Sequence, residues 1–319
     1  MFGFIQNKIR GIIKRLNSRY YRLCVDHYPK IIIEKSWKKD FGYSIDWEHP
    51  RDINEKIQWL IAFSDTREWS CLADKYLVRD YVASKGYGAN LIKLYGVWNK
   101  ADDIDFDALP DKFVLKCNHD SGSYCIVDKQ KGYDKERLVK KLNACLKRKY
   151  GYLFCEPHYN KIKPLVIAEE FLEEKNCFSS SLIDYKVWCF NGRPSSILVC
   201  YGRNHHEKFF NIYDLDWNVH PEYSVFSERY KDGQGKVPKP SCLSEMLEIA
   251  SVLSKGFPEV RVDFYMVKGQ VYFGEMTFTD STGRIRNYSP SYLQELGRQC
   301  DLSLGKKSFG LKRLALFFL

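Results

Sequence analysis

Apolar residues recur at helical spacing across residues 2–25. Phe4, Ile5, Ile9, Ile12, Ile13 and Leu16 alternate there with Lys8, Arg10, Lys14, Arg15 and Arg19. The spacing predicts an amphipathic helix with a basic face. Further helices are expected over 53–63, 71–85, 134–149 (opened by Asp134) and 243–255 (stopped by Gly256). Short apolar or alternating runs predict strands at 91–98, 113–116, 124–127, 165–172, 184–190, 195–201 and about 209–213. Asn191-Gly192 is a hairpin turn signal. A last hairpin, 260–267 with 271–278, is expected to close around Lys268-Gly269-Gln270. Helices and strands mix without a strict β-α-β rhythm, and the paired hairpins point to an α+β fold with antiparallel sheets.

Composition narrows this picture. The chain has 319 residues, 45% hydrophobic and 15% aromatic, enough for one large or two modest cored domains. No run approaches the ~18 apolar residues of a membrane-spanning helix. The net charge of +10 is concentrated at the ends: residues 1–40 carry +7, residues 305–319 carry +4, and the remainder sums to −1. A basic body for nucleic acid is therefore not expected. The basic helix over 2–25 reads either as an ordinary amphipathic helix docked on the body or as one lying on an anionic membrane surface, which the basic and apolar tail would fit. The eleven cysteines are scattered singly, without a Cys-x-x-Cys pair, and read as reduced thiols of a cytoplasmic protein.

The last hairpin holds the most chemistry. Alternation in Val260-Arg261-Val262-Asp263-Phe264 places Arg261 and Asp263 on one face; Glu275, Thr277 and Thr279 share a face of the partner strand. A three-residue connection pairs Val267 with Val271, and so Asp263 with Glu275 and Arg261 with Thr277. Facing carboxylates repel unless a cation lies between them, and hard oxygen donors suit Mg²⁺; the alternative is a solvated face whose arginine pairs with the acids. Lys116 ends an apolar strand before Asn118-His119-Asp120-Ser121-Gly122-Ser123, a polar turn whose backbone N–H groups can cover phosphate oxygens. In Val166–Glu174, backbone near Glu170 and Leu172 can meet an adenine edge, and a following acid can take ribose hydroxyls.

In order, Asp74-Lys75, strand-Lys116 with its turn, Glu169-Glu170-x-Leu172, Asp184-Tyr185-Lys186 and Arg261-x-Asp263 … Glu275-x-Thr277 resemble the ATP-grasp superfamily. "EKIQWL", "LADKYLVRDYV", "LPDKFVLKCNHDSGS", "IAEEFLEE", "DYKVWCFNGRP", "NIYDLDWN", "LSKGFPEVRVDFY" and "VYFGEMTF" resemble its TupA-like group, linked to teichuronopeptide and cell-surface polysaccharide synthesis, over roughly residues 45–304. The resemblance implies two α/β lobes with antiparallel sheets gripping a nucleotide. It divides the chain into an arm (1–44), an N-terminal lobe (45–112), a small lid (113–180), a catalytic subdomain (181–304) and a tail (305–319). It implies ATP held by Lys75, Lys116, Ser121, Gly122, Ser123, Glu169, Glu170, Leu172 and Glu173. Mg²⁺ would lie on Asp263, Glu275 and Thr277, with Arg261 and Lys186 catalytic.

Two positions depart from the pattern. Thr277 stands where most members place a metal-binding asparagine, and Asp120 brings negative charge beside the expected triphosphate. The implied reaction joins a carboxylate, such as a uronic acid of a polysaccharide precursor, to an amine or amino acid through an acyl phosphate. The rivals are a glycosyltransferase using Asp105-Phe106-Asp107 or Asp214-Leu215-Asp216, and a degenerate ATP-grasp binding module.

Overall fold

The structure is a computed structural model describing residues 18–174, 179, 181–202 and 208–305. Most of the expected helix over 2–25, and the tail beyond 305, lie outside the described residues. Residues 18–27 are helical (α1) and lead into α2 (Pro29–Phe41), α3 (Ile53–Phe63), α4 (Arg67–Leu72) and α5 (Val78–Ser84). The single helix expected over 71–85 is thus two. The buried Asp74 carboxylate accepts from the backbone N–H groups of Tyr76 and Leu77, which closes a turn between α4 and α5.

A four-stranded antiparallel sheet follows, built from β1 (Leu94–Trp98), β2 (Lys112–Cys117), β3 (Cys125–Asp128) and β4 (Val166–Glu170) in the order β1-β4-β2-β3. Phe113, Leu115 and Cys117 alternate inward and are fully buried, with Leu142 and Cys145 of α6 (Lys135–Leu146) in the same core. Each large apolar side chain removed from water contributes roughly 1.5–3 kcal/mol. Asp134 caps α6 as expected, its side chain accepting from Arg137 N–H. Short α7 (Gly151–Phe154) follows. Since β1 is paired to β4, the small sheet reaches back across the boundary expected at residue 112.

The second sheet orders β10-β9-β5-β6-β7-β8. Its strands are β5 (Asp184–Phe190), β6 (Arg193–Tyr201), β7 (Lys208–Tyr213), β8 (Tyr230–Asp232), β9 (Val260–Val267) and β10 (Gln270–Thr277). All neighbours are antiparallel except β7 and β8. One face carries Tyr185, Val187, Val260, Val262 and Phe264, in one core with Met246, Ile249 and Leu253 of α8 (Leu243–Leu253). The N-terminal helices join this same core through Ile33, Trp37, Ile57 and Leu60. Asn54 of α3 exchanges side-chain bonds with the Ile285 backbone ahead of α9 (Pro290–Gln299). A third, small cluster of Ile92, Leu172 and Val267 lies where the chain passes between the sheets.

Candidate active site

The polar face of the large sheet carries a row of charge across three adjacent strands. Lys186 on β5 is register partner to Asp263 on β9, and Asp263 to Glu275 on β10. Arg261 is register partner to Thr277. These pairings match the expectation, but the route to them differs. The connection has two residues, Lys268 (φ 52°) and Gly269 (φ 77°), so Gln270 faces Val267. That is the left-handed pair a tight hairpin turn requires. A bulge at Gly274 then restores the one-residue offset before Glu275. Glycine fits there because a Cβ would lie 3.0 Å from the Asp263 carbonyl oxygen.

Asp263 is 3% exposed and bound from two sides. Arg261 donates to it through Nε (2.7 Å) and Nη2 (2.9 Å), and Lys186 Nζ reaches its Oδ2. Burial pushes this carboxyl up, but the adjoining Arg261 and Lys186 outweigh burial and hold it below its ordinary value. Arg261 also meets Asp280 at 2.7 Å and Thr277 Oγ1 at 3.4 Å. Burial would lower its pKa, but Asp263 and Asp280 raise it well above the ordinary value. Thus the cation between the acids in the chain itself is protein-borne. Asp263 and Arg261 are buried, whereas the Glu275 side chain on the same row is 40% exposed.

Lys75 joins the two sheets. Its Nζ donates to the Asp120 carbonyl at 2.7 Å and lies 3.6 Å from Glu275 Oε2. Asn118 holds it there: the Asn118 side chain donates to Asp74 and accepts from Leu165 N–H, while its carbonyl accepts from Lys75 N–H. Across the small sheet, Lys116 Nζ meets Glu169 Oε2 at 2.5 Å and Arg79 meets Oε1 at 3.6 Å. Ile126 and Val114, opposite each other on this outer face, flank the pair. The polar turn is organised from within. Ser123 Oγ accepts from Cys117 N–H and donates to the buried Asp120 carboxylate, which Arg148 approaches at 3.8 Å. Asp120 therefore points into the turn rather than toward its mouth, where Ser121 and Gly122 are exposed.

The other expected contacts divide. Glu170 N–H donates to Lys93 O at 2.9 Å, and Leu172 is buried with Ile92 and Val267. Glu173 is exposed and pairs with Lys112 at 3.1 Å. Sequence reasoning missed Arg79, Asp280 and the Asp74–Asn118 clamp, since each acts through an element distant in the chain. Both Asp-x-Asp pairs are turn closures: Asp105 accepts from Asp107 and Ala108 N–H, and Asp214 from Asp216 and Asn218 N–H.

A family model described as TupA-like ATP-grasp matches residues 55–301. The chain belongs to the TupA-like ATP-grasp family. The small sheet with its own core and the large sheet, linked by Lys75, fit the two-lobed α+β ATP-grasp fold. No curated protein sequence gives a significant match. Among solved structures, D-alanine–D-alanine ligase from Bacillus anthracis complexed with ATP is 15% identical (TM-score 0.40), covering 75% of this chain and 66% of that one. L-amino acid ligase from Bacillus licheniformis is 14% identical (TM-score 0.41), covering 79% and 55%. This ATP-grasp chain thus spans under two thirds of the length of both. No helix among its described residues is long and apolar enough to cross a membrane.

Proposed function

We propose that the chain is an ATP-dependent carboxylate–amine ligase. The observation that carries this reading is the convergence of Lys75, Lys186 and Arg261 on the Asp263–Glu275 row, with Lys116 held by Glu169 on the small sheet to which Lys75 connects. A carboxylate oxygen of the acceptor attacks the γ-phosphorus, the bond to the ADP oxygen breaks, and an acyl phosphate results. An amine then attacks the acyl carbon and inorganic phosphate leaves. Lys75 and Lys116 neutralise phosphate charge, and Arg261 holds the developing acyl oxyanion from a position already fixed by two carboxylates. The donor set of Asp263, Glu275 and Thr277 is all oxygen, which suits Mg²⁺. Among the described residues no group of three or more His, Cys, Asp or Glu could hold a metal ion, and Asp263 is held by Arg261 and Lys186, so an ion there would need phosphate oxygens and the release of one of those cations. Bound there, the ion would supply further charge neutralisation.

The acceptor in this reading is a uronic acid of a cell-surface polysaccharide or its precursor, and the donor an amine or amino acid. Loss of the Lys116 ammonium should weaken ATP binding far more in Lys116→Ala than loss of surface charge in Lys140→Ala. Glu275→Gln should keep the fold and lose Mg²⁺-dependent turnover by orders of magnitude. ATP-dependent thermal shift, followed by ADP release across amino acids and uronate acceptors, reads both. Stabilisation by a UDP-sugar instead of ATP would support the transferase, and stabilisation by neither a binding module.

A further inference from the structure

Beside the polar turn, α1 and the segment leading into α7 carry exposed apolar side chains together with exposed lysine and arginine. Residues 147–149, Lys-Arg-Lys, are all exposed and lead directly into α7. There Leu153 is 60% and Phe154 49% exposed. The neighbouring α1 contributes Tyr20 (59%) and Leu23 (51%), with exposed Arg19 and Arg22 beside them. Tyr152 locks these elements together. Its carbonyl accepts from Tyr21 OH at 2.8 Å, its hydroxyl donates to Asp26 at 2.6 Å, and the Arg22 guanidinium lies 5.4 Å over its ring. Asp26, the acid of the patch, is occupied by Tyr152 and Asn160. Among the described residues no carboxylate pairs with Lys147 or Lys149.

We infer that this surface docks on an anionic lipid bilayer. Charge complementarity selects an anionic partner. The four apolar side chains select a bilayer over a soluble polyanion, because an interface buries them at headgroup depth and a hydrated polymer leaves them in water. The surface adjoins the candidate site: Arg148 reaches Asp120 of the polar turn at 3.8 Å. Docking therefore places the mouth of the cleft beside the membrane, whatever the reaction.

Co-sedimentation of the full chain tests this with vesicles of phosphatidylcholine alone and mixed with phosphatidylglycerol. The chain should bind only the anionic vesicles, and added salt should weaken binding. Each cation at such a surface strengthens binding about fivefold, so Lys147→Glu with Lys149→Glu should weaken it at least about twentyfold. Leu153→Ser with Phe154→Ser should weaken it at least about tenfold. Both pairs are exposed, so circular dichroism should match wild type. Unchanged vesicle binding by both double variants overturns the inference, as does equal binding to neutral vesicles. Equal affinity for soluble polyglutamate, unaffected by the Leu153/Phe154 pair, assigns the patch to a polyanion and overturns it too.

Discussion

Glu156 has a carboxyl that the chain buries without a cation in contact. Its Oε1 accepts from Thr279 Oγ1, while Oε2 has no partner. Burial raises its pKa to about 7; the Thr279 hydrogen bond and Arg284 oppose the rise only in part. The folded chain therefore holds this proton more tightly than the unfolded chain, whose value lies near 4.5. The stability it confers is complete below the unfolded value and lost as pH rises through about 7. Glu156→Gln keeps the acceptor for Thr279 and has no charge to bury. Urea midpoints should show the variant more stable than wild type by roughly 3 kcal/mol at about pH 8 and nearly equal at about pH 4. Parallel pH profiles would contradict this. The alternation around Arg261 and Asp263, and the facing of Arg261 and Thr277, were readable from the chain; the Glu156–Thr279 and Arg261–Asp280 contacts were not, because they form through tertiary packing.

Turns decide how far the elements could be read. The expected Asp263–Glu275 pairing arises from two offsetting features, a tighter turn and a bulge, and alternation alone distinguishes neither. What it does specify is the buried face, and a register slip would bury charge and expose Val262. The α4–α5 break was invisible for a related reason: residues 71–85 have helical composition throughout, and only the side chain of Asp74 diverts them. Asp74→Ala removes the acceptor for two N–H groups and the Asn118 amide. It should cost about 2–4 kcal/mol, read from the urea midpoint. Asp74→Asn, which retains an acceptor oxygen, should recover part of that. Equal stability of Asp74→Ala and wild type would mean that another group closes the turn.

Across the whole molecule, the small sheet has its own core, and the large sheet shares one with the N-terminal helices. Native-state hydrogen exchange should therefore separate β2 and β4 amides from those of β5 and β9, with different denaturant dependences. A single opening free energy for all four strands would show one cooperative unit. The separation in sequence matters as much as that in space. Lys186 and Asp263 are 77 residues apart, and Asn54 and Ile285 are 231 apart. On the ribosome, the small sheet can close as soon as β4 emerges, whereas Lys186 waits for β9 to supply its counter-ion. The charged row is thus among the last features to form during synthesis. A prematurely terminated chain ending in the 214–240 loop would present a finished small lobe beside an open edge on β5, a substrate for chaperones and proteases rather than a partial enzyme.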